Sequence, residues 1–257
     1  MTAPWVLLRG LTRESGHWGA FPDQLAQALP GVRIVALDLP GAGGRRDERS
    51  PWRVEAIAEA CRAELQRRGI APPLRLLGLS LGGMVAMAWA KHWPGEVERC
   101  VLVNTSLRPH GAWHRRLRPA AWPALLRVFA GARDASRAEQ AVLALTSAAP
   151  HRHADVLDEW VAIRRRRPIS AASTVRQFVA AARCRDAGAP PALPVLVACS
   201  EGDRLVDARC SRALAERWNA SLVVHPGAGH DLPLDDGPWL AARIAEWAQA
   251  PPQFEGS

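Results

Sequence analysis

Short apolar runs separated by longer amphipathic stretches organise the first hundred residues. Trp5–Arg9, Val32–Leu37, Leu74–Leu79 and Val97–Asn104 are rich in Val, Leu and Ile, with few polar positions. Runs of this kind predict strands buried on both faces, as in a parallel sheet. Leu193–Ser200 and Ser221–His225 repeat the pattern towards the other end. Between most of them the apolar spacing predicts helices, at roughly His17–Leu29, Val54–Arg68, Gly82–His92, Ala208–Trp218 and Gly237–Ala248. Strand and helix in alternation predict an α/β fold of about six mostly parallel strands flanked by helices.

The alternation breaks between Val103 and Leu193. Helical periodicity alone fills that interval, around Trp113–Phe129, Ser136–Ser147, Ala154–Arg167 and Ser170–Arg183, and prolines from Pro109 to Pro191 punctuate it. A helical cap inserted after the fourth strand is the expected arrangement. It would occupy residues 106–190, leaving 1–105 and 191–257 as the core. No internal repeat is visible.

Composition adds little until charge is mapped. Hydrophobic residues at 48% and charged residues at 23% are ordinary for a globular protein. The net charge of +8 is not spread evenly. Residues 106–190 hold fifteen arginines and six acids, so the whole surplus lies in the insertion and the remainder is slightly acidic. Two readings stay open. In Asp155–Arg167 acids open a helix and cations close it, which the helix dipole favours, and Pro168 stops it; this is a solvated face. The other reading is a basic platform at a pocket mouth, suited to an acidic partner or an anionic acyl group. Nucleic acid is not expected, because no recognised binding motif accompanies the charge.

No apolar stretch reaches the ~18 residues of a membrane span, and no leader pattern precedes Trp5. A cytoplasmic location is the default expectation, without membrane attachment. Cys61, Cys100, Cys184, Cys199 and Cys210 are odd in number and lack metal-binding spacing, so reduced buried thiols are expected and no metal. Gly41-Ala42-Gly43-Gly44 lacks the spacing of a dinucleotide site, and no cofactor is implied.

The chemistry is concentrated in Gly78-Leu79-Ser80-Leu81-Gly82, which falls between a predicted strand and a predicted helix. A tight strand-to-helix turn would hold Ser80 in a strained conformation with its hydroxyl projecting. Side chains at Gly78 and Gly82 would collide across such a turn. The helix would aim its first amides at the site, and the Leu81 N–H could stabilise an oxyanion there.

On these residues the chain resembles the α/β-hydrolase superfamily over nearly its whole length. The resemblance implies an acid after a later strand and a histidine in the last loop. Glu201-Gly202-Asp203-Arg204 resembles the acid loop, and Gly229-His230-Asp231 the histidine loop. Ser80 is then the nucleophile, His230 its base, and Asp203 the acid that fixes the imidazole tautomer. Asp207, a rival acid, reads better as a helix cap, and Asp38 as a structural loop residue. The family's second oxyanion donor follows a His-Gly signature. Here Leu8-Arg9-Gly10-Leu11 matches with Arg9 in place of the histidine, so the donor would be the Leu11 N–H. Arg9 could pair with Glu14 or place its charge near the substrate. His17-Trp18 is expected to pack this loop onto the first helix, a pocket wall being the other option. The antiparallel strands that often open the family are expected to be missing.

Gly-Leu-Ser-Leu-Gly-Gly-Met with an arginine-bearing cap is similar to pimeloyl-carrier-protein methyl ester esterases, which receive an acidic carrier protein. The leading expectation is hydrolysis of a small-molecule carboxylic ester, or a thioester, through an acyl-Ser80 intermediate. A carbon–carbon bond hydrolase or lyase acting on an anionic substrate would use the same triad. A non-catalytic binding protein on the same fold is the third class.

Overall fold

The computed structural model describes residues 2–130, 134–186 and 188–250. Arg133 of the arginine-rich segment lies outside them, as do residues 187 and 251–257. Six strands form one sheet: β1 (Trp5–Leu8), β2 (Ile34–Leu37), β3 (Leu74–Leu79), β4 (Val97–Val103), β5 (Val195–Ser200) and β6 (Ser221–His225). Their order is β2-β1-β3-β4-β5-β6 and every neighbouring pair is parallel. No antiparallel pair joins the sheet among the described residues.

Alternation along each strand divides the core in two. Val6, Leu8, Leu74 and Leu76 point to the face covered by α2 (Val54–Arg67), α3 (Leu81–His92) and α9 (Ala208–Trp218). Trp5, Leu7, Leu77 and Leu79 point to the other face, against α1 (Phe21–Ala28) and α10 (Leu232–Gln249). Both faces are covered, which is why the strands read as unbroken apolar runs. Two of these helices differ from expectation. Residues 15–18 form a separate 3-10 turn ahead of α1. α10 starts five residues earlier than its apolar period suggests and kinks at Asp236, just ahead of Pro238, which lacks an N–H to donate.

The insertion between β4 and β5 contains α4 (Trp113–Arg116), α5 (Trp122–Ala130), α6 (Ala135–Thr146), α7 (Ala154–Arg166) and α8 (Ala171–Arg183). The single helix expected over Trp113–Phe129 is broken. Pro119 excludes the helical conformation from Arg118, which is extended at ψ 133°, and a 3-10 turn at 119–121 intervenes. The two ends of the insertion meet at a bridge between Arg108 and Arg185. Beside it, the buried Asp186 carboxylate accepts hydrogen bonds from Lys91 Nζ of α3, His110 Nε2 at 2.6 Å and Trp218 Nε1 of α9 at 2.8 Å. One side chain thus ties the return of the insertion to its start and to two core helices.

Burial alone would push the Asp186 carboxyl up, but the hydrogen bonds from Lys91, His110 and Trp218 outweigh it and hold the group below its ordinary value. A carboxyl depressed on folding stabilises the fold above its unfolded pKa, and the effect is lost as pH falls through its folded value. Asp186→Asn should therefore cost about 1–3 kcal/mol at pH 7. Its deficit against wild type should shrink as urea melts are repeated from pH 5 downwards. A deficit independent of pH would contradict this account.

Candidate active site

Ser80 sits between β3 and α3 with φ 55° and ψ −115°, a conformation that L residues rarely adopt. Its N–H donates to Val103 O at 2.9 Å, and its carbonyl accepts from Gly83 and Met84 at 3.0 and 3.2 Å. The turn closes because its neighbours lack side chains. A Cβ on Gly78 would lie 2.2 Å from Gly82 O, and one on Gly82 would lie 2.0 Å from Leu8 O.

The histidine loop follows β6. His230 Nδ1 lies 2.7 Å from Asp203 Oδ2, both residues buried. An ionised carboxylate only accepts, so the bond places the imidazole proton on Nδ1 and leaves Nε2 as the basic nitrogen. Asp203 is aimed by its own loop: Oδ1 accepts the N–H groups of Leu205 at 2.7 Å and Val206 at 2.9 Å. Ser80 and His230 line one cavity of about 110 Å³, together with Gly10, Leu11, Leu125, Val128, Leu145 and Leu205. Three distant segments are thus gathered at the carboxyl edge of the sheet. Leu11 borders that cavity. Leu81 is the first residue of α3, where amides have no intrahelical acceptor.

Asp207 takes the capping position of α9, accepting from Arg209 N–H at 3.0 Å. Its carboxyl goes down to about 2, chiefly through the hydrogen bond from the Arg209 guanidinium. Asp38 accepts from the N–H groups of Ser15 at 2.6 Å and Gly44 at 2.8 Å, a loop brace away from the cavity lining. His17 is buried, accepts the Glu14 N–H on Nδ1 and meets the edge of Trp160 of α7. Burial, with Arg13 and Arg9 nearby, drives its pKa well below the ordinary value and keeps it neutral. Trp18 stacks on Phe21 of α1, so the pair packs the loop on both sides.

Of the two roles left open for Arg9, the pairing with Glu14 is not formed. Its guanidinium meets Asp231, 222 residues on, through Nη1–Oδ1 at 2.9 Å and Nη2–Oδ2 at 2.6 Å. Glu14 is held instead by Arg167 of the insertion, and Glu139 of α6 takes both Arg13 and Arg164. Asp155–Arg167 is therefore not simply a solvated face. Arg165 and Arg166 are exposed, whereas Arg164 ties α7 to Glu139 of α6 within the insertion and Arg167 fastens the insertion to Glu14 of the core.

Two further residues organise the site without being legible as site residues. Asn104, at φ 46° beyond β4, donates to His230 O at 2.8 Å and accepts from Ser200 N at 3.0 Å, coupling the histidine loop to β5. Asp235 accepts the Gly229 N–H at 2.6 Å, the Ala148 N–H at 2.8 Å and the Ser147 hydroxyl at 2.5 Å. It stitches the same loop to the insertion. Asn after a strand and Asp in a helix's first turn are common enough that neither announces such a role.

Burial pushes the Cys61, Cys100 and Cys184 thiols up to about 12, and Cys199 and Cys210 to about 11. All five are free and buried, and none offers a thiolate. No cluster of His, Cys, Asp and Glu suited to a metal occurs among the described residues, nor does any helix long and apolar enough to cross a membrane.

A six-stranded parallel sheet with a strained serine turn and a buried Asp–His pair at its carboxyl edge defines a hydrolase architecture. The chain belongs to the alpha/beta hydrolase family, whose model matches residues 5–243, and it is an enzyme, a hydrolase. It is 26% identical over 244 residues to the pimeloyl-[acyl-carrier protein] methyl ester esterase of Chromobacterium violaceum, covering 94% of this chain and 82% of that one. It is 33% identical to the lipase LipV of Mycobacterium tuberculosis, but over only 42% of this chain and 39% of the lipase. The enol-lactonase of Burkholderia xenovorans LB400 shares its fold at TM-score 0.76 and 20% identity, over 97% of this chain and 93% of that one. So does the 2-hydroxy-6-oxo-6-phenylhexa-2,4-dienoate hydrolase of Rhodococcus sp. strain RHA1, at 0.73 and 19%, over 96% and 91%.

Proposed function

We propose that the chain hydrolyses a carboxylic ester through an acyl-Ser80 intermediate, with residues 106–190 as the cap over the site. His230 Nε2 takes the Ser80 proton as the hydroxyl attacks the ester carbonyl. The Leu11 and Leu81 N–H groups receive the oxyanion, and Asp203 stabilises the imidazolium. His230 returns the proton to the leaving alcohol, and water then releases the acid by the same route. The observation that carries the reading is the 2.7 Å His230–Asp203 bond, with His230 and the strained Ser80 lining one cavity. Thioesters would follow the same path.

Substrate class is suggested by a second hollow. A groove of about 750 Å³ between α5 and α6 is lined by alanines and edged by Arg118, Arg127, Arg137 and Arg204, with no acidic side chain among the described residues that line it, although Asp134 pairs with Arg137 at 3.4 Å. Leu145 lines both this groove and the Ser80 cavity. Such a groove suits the acidic arm or face of a carrier, in keeping with the carrier-bound substrate in the esterase relative's name.

Incubation with p-nitrophenyl esters and a fluorophosphonate probe tests the chemistry. Rapid labelling of Ser80 with ester turnover supports it; labelling without turnover favours carbon–carbon bond cleavage by the same residues. Absence of labelling points to a binding protein. The groove is tested separately with Arg127→Gln combined with Arg137→Gln. KM for a negatively charged half-ester of a dicarboxylic acid should rise about 10-fold, with KM for a neutral ester of equal length unchanged.

A further inference from the structure

Two loops carry the groups on which the proposed reaction depends, and one buried ion pair joins them. Arg9 precedes Gly10 and Leu11. A Cβ on Gly10 would lie 3.4 Å from Ser80 Cβ, so this loop rests directly on the serine. Asp231 follows His230. The two side chains are 2% and 6% exposed, and both carboxylate oxygens are taken by one guanidinium. Trp18 lies against the guanidinium at 4.8 Å. The Asp231 N–H donates to Thr146 O, and its carbonyl caps the first turn of α10. Neither loop can shift without breaking a planar, two-pronged contact that has little freedom to adapt.

We propose that Arg9 is a positioning residue, holding the oxyanion loop and the His230 loop as one rigid body through its bidentate contact with Asp231. The inference rests on the reading of Ser80 and His230 as reacting groups. It gives the arginine at the position of the family's histidine a task in this chain: neutralising a carboxylate next to the reacting imidazole while fixing its distance from the oxyanion amides. The Asp231 carboxyl supports this. Burial would push it up, and the charge and hydrogen bonds of Arg9, with smaller contributions from Arg13 and His230, together outweigh that and hold it below the usual carboxylate range. The other charged or titratable groups facing the pair and its histidine are Asp203, Arg13 with its partner Glu139, and the neutral His17.

Three variants separate positioning from folding, read by kcat and KM for a p-nitrophenyl ester, the fluorophosphonate labelling rate and a thermal melt. Arg9→Met leaves Asp231 uncompensated. It should lower kcat and labelling about 100-fold, with KM within about twofold. The acid limb of its kcat/KM profile should move up by about one pH unit, because the stripped carboxylate favours the charged imidazole. Arg9→Lys keeps the charge and loses the fork, so the limb should stay and kcat fall about 10-fold. The double variant Arg9→Met, Asp231→Leu removes both charges. It should melt near wild type with the limb restored, yet keep a kcat about 10-fold low. Recovery of wild-type kcat in the double variant would show the pair to be structural only and overturn the inference. So would an Arg9→Met protein with unaltered kcat and pH profile. A wild-type serine that never labels overturns the hydrolase reading and this one with it, whereas a labelled wild type with indifferent variants overturns this one alone.

Discussion

Ser80→Ala should abolish ester turnover, lowering kcat/KM by about 10⁴-fold or more while the fold persists. The reason is chemical. A methyl group cannot form the acyl bond, and His230 is left with no proton to remove, so only the oxyanion amides and the binding cavity remain. Residual activity in a Ser80→Ala protein near that of wild type would remove the serine mechanism outright. A companion variant has effects of opposite sign. Ser80 sits at φ 55°, where a Cβ is strained by about 1–3 kcal/mol and glycine is at ease. Ser80→Gly should therefore be as inactive as Ser80→Ala and yet melt at a higher temperature than either. Equal melting temperatures for the two variants would mean that the turn stores no strain.

The second large effect is on stability. Gly82→Ala should cost about 4 kcal/mol or more, a fall in Tm of roughly 8–16 °C for a chain of this size. The added Cβ would meet Leu8 O at 2.0 Å and Arg9 O at 2.7 Å. These are backbone atoms of β1 and the loop beyond it, which cannot step aside as a flexible side-chain end can. Whatever fraction folds should also be slow, since the displaced atoms lie beside Gly10 and Leu11. Gly95→Ala is the control: nothing lies within 4 Å of its Cβ, and its Tm should stay within the equivalent of about 0.5 kcal/mol. A Gly82→Ala protein as stable as that control would contradict the close packing of the turn on β1.

Much of this architecture was legible because it is written in local pattern. Six apolar runs gave six strands, and Ser80, Asp203 and His230 each follow a strand within a recognisable loop. What stayed hidden depends on contacts that sequence spacing does not encode. Arg9 and Asp231 lie 222 positions apart, and nothing in Leu8-Arg9-Gly10-Leu11 distinguishes Asp231 from Glu14 as a partner. The four arginines from Arg164 to Arg167 look alike in a row, but the end of α7 and the residue after it turn Arg164 and Arg167 towards buried acids and leave Arg165 and Arg166 in water. Trp113–Phe129 has the apolar content of one helix, and Pro119 decides that it is not.

The Asp235 contacts to Gly229, Ser147 and Ala148 bear on how a bulky molecule gains entry. Because the stretch after α6 is sewn to the histidine-bearing segment, lifting that margin would drag His230 out of register with the serine. The α5 margin carries no such stitch to the histidine loop among the described residues, and it presents Trp122 and Leu126 to water. Arg118, ahead of α5, is held to the acid loop, its guanidinium donating to Asp203 O at 2.7 Å and its N–H to Leu205 O at 2.9 Å. Only a movement hinged beyond residue 118 would therefore leave both the Asp203 and the His230 loops where they are.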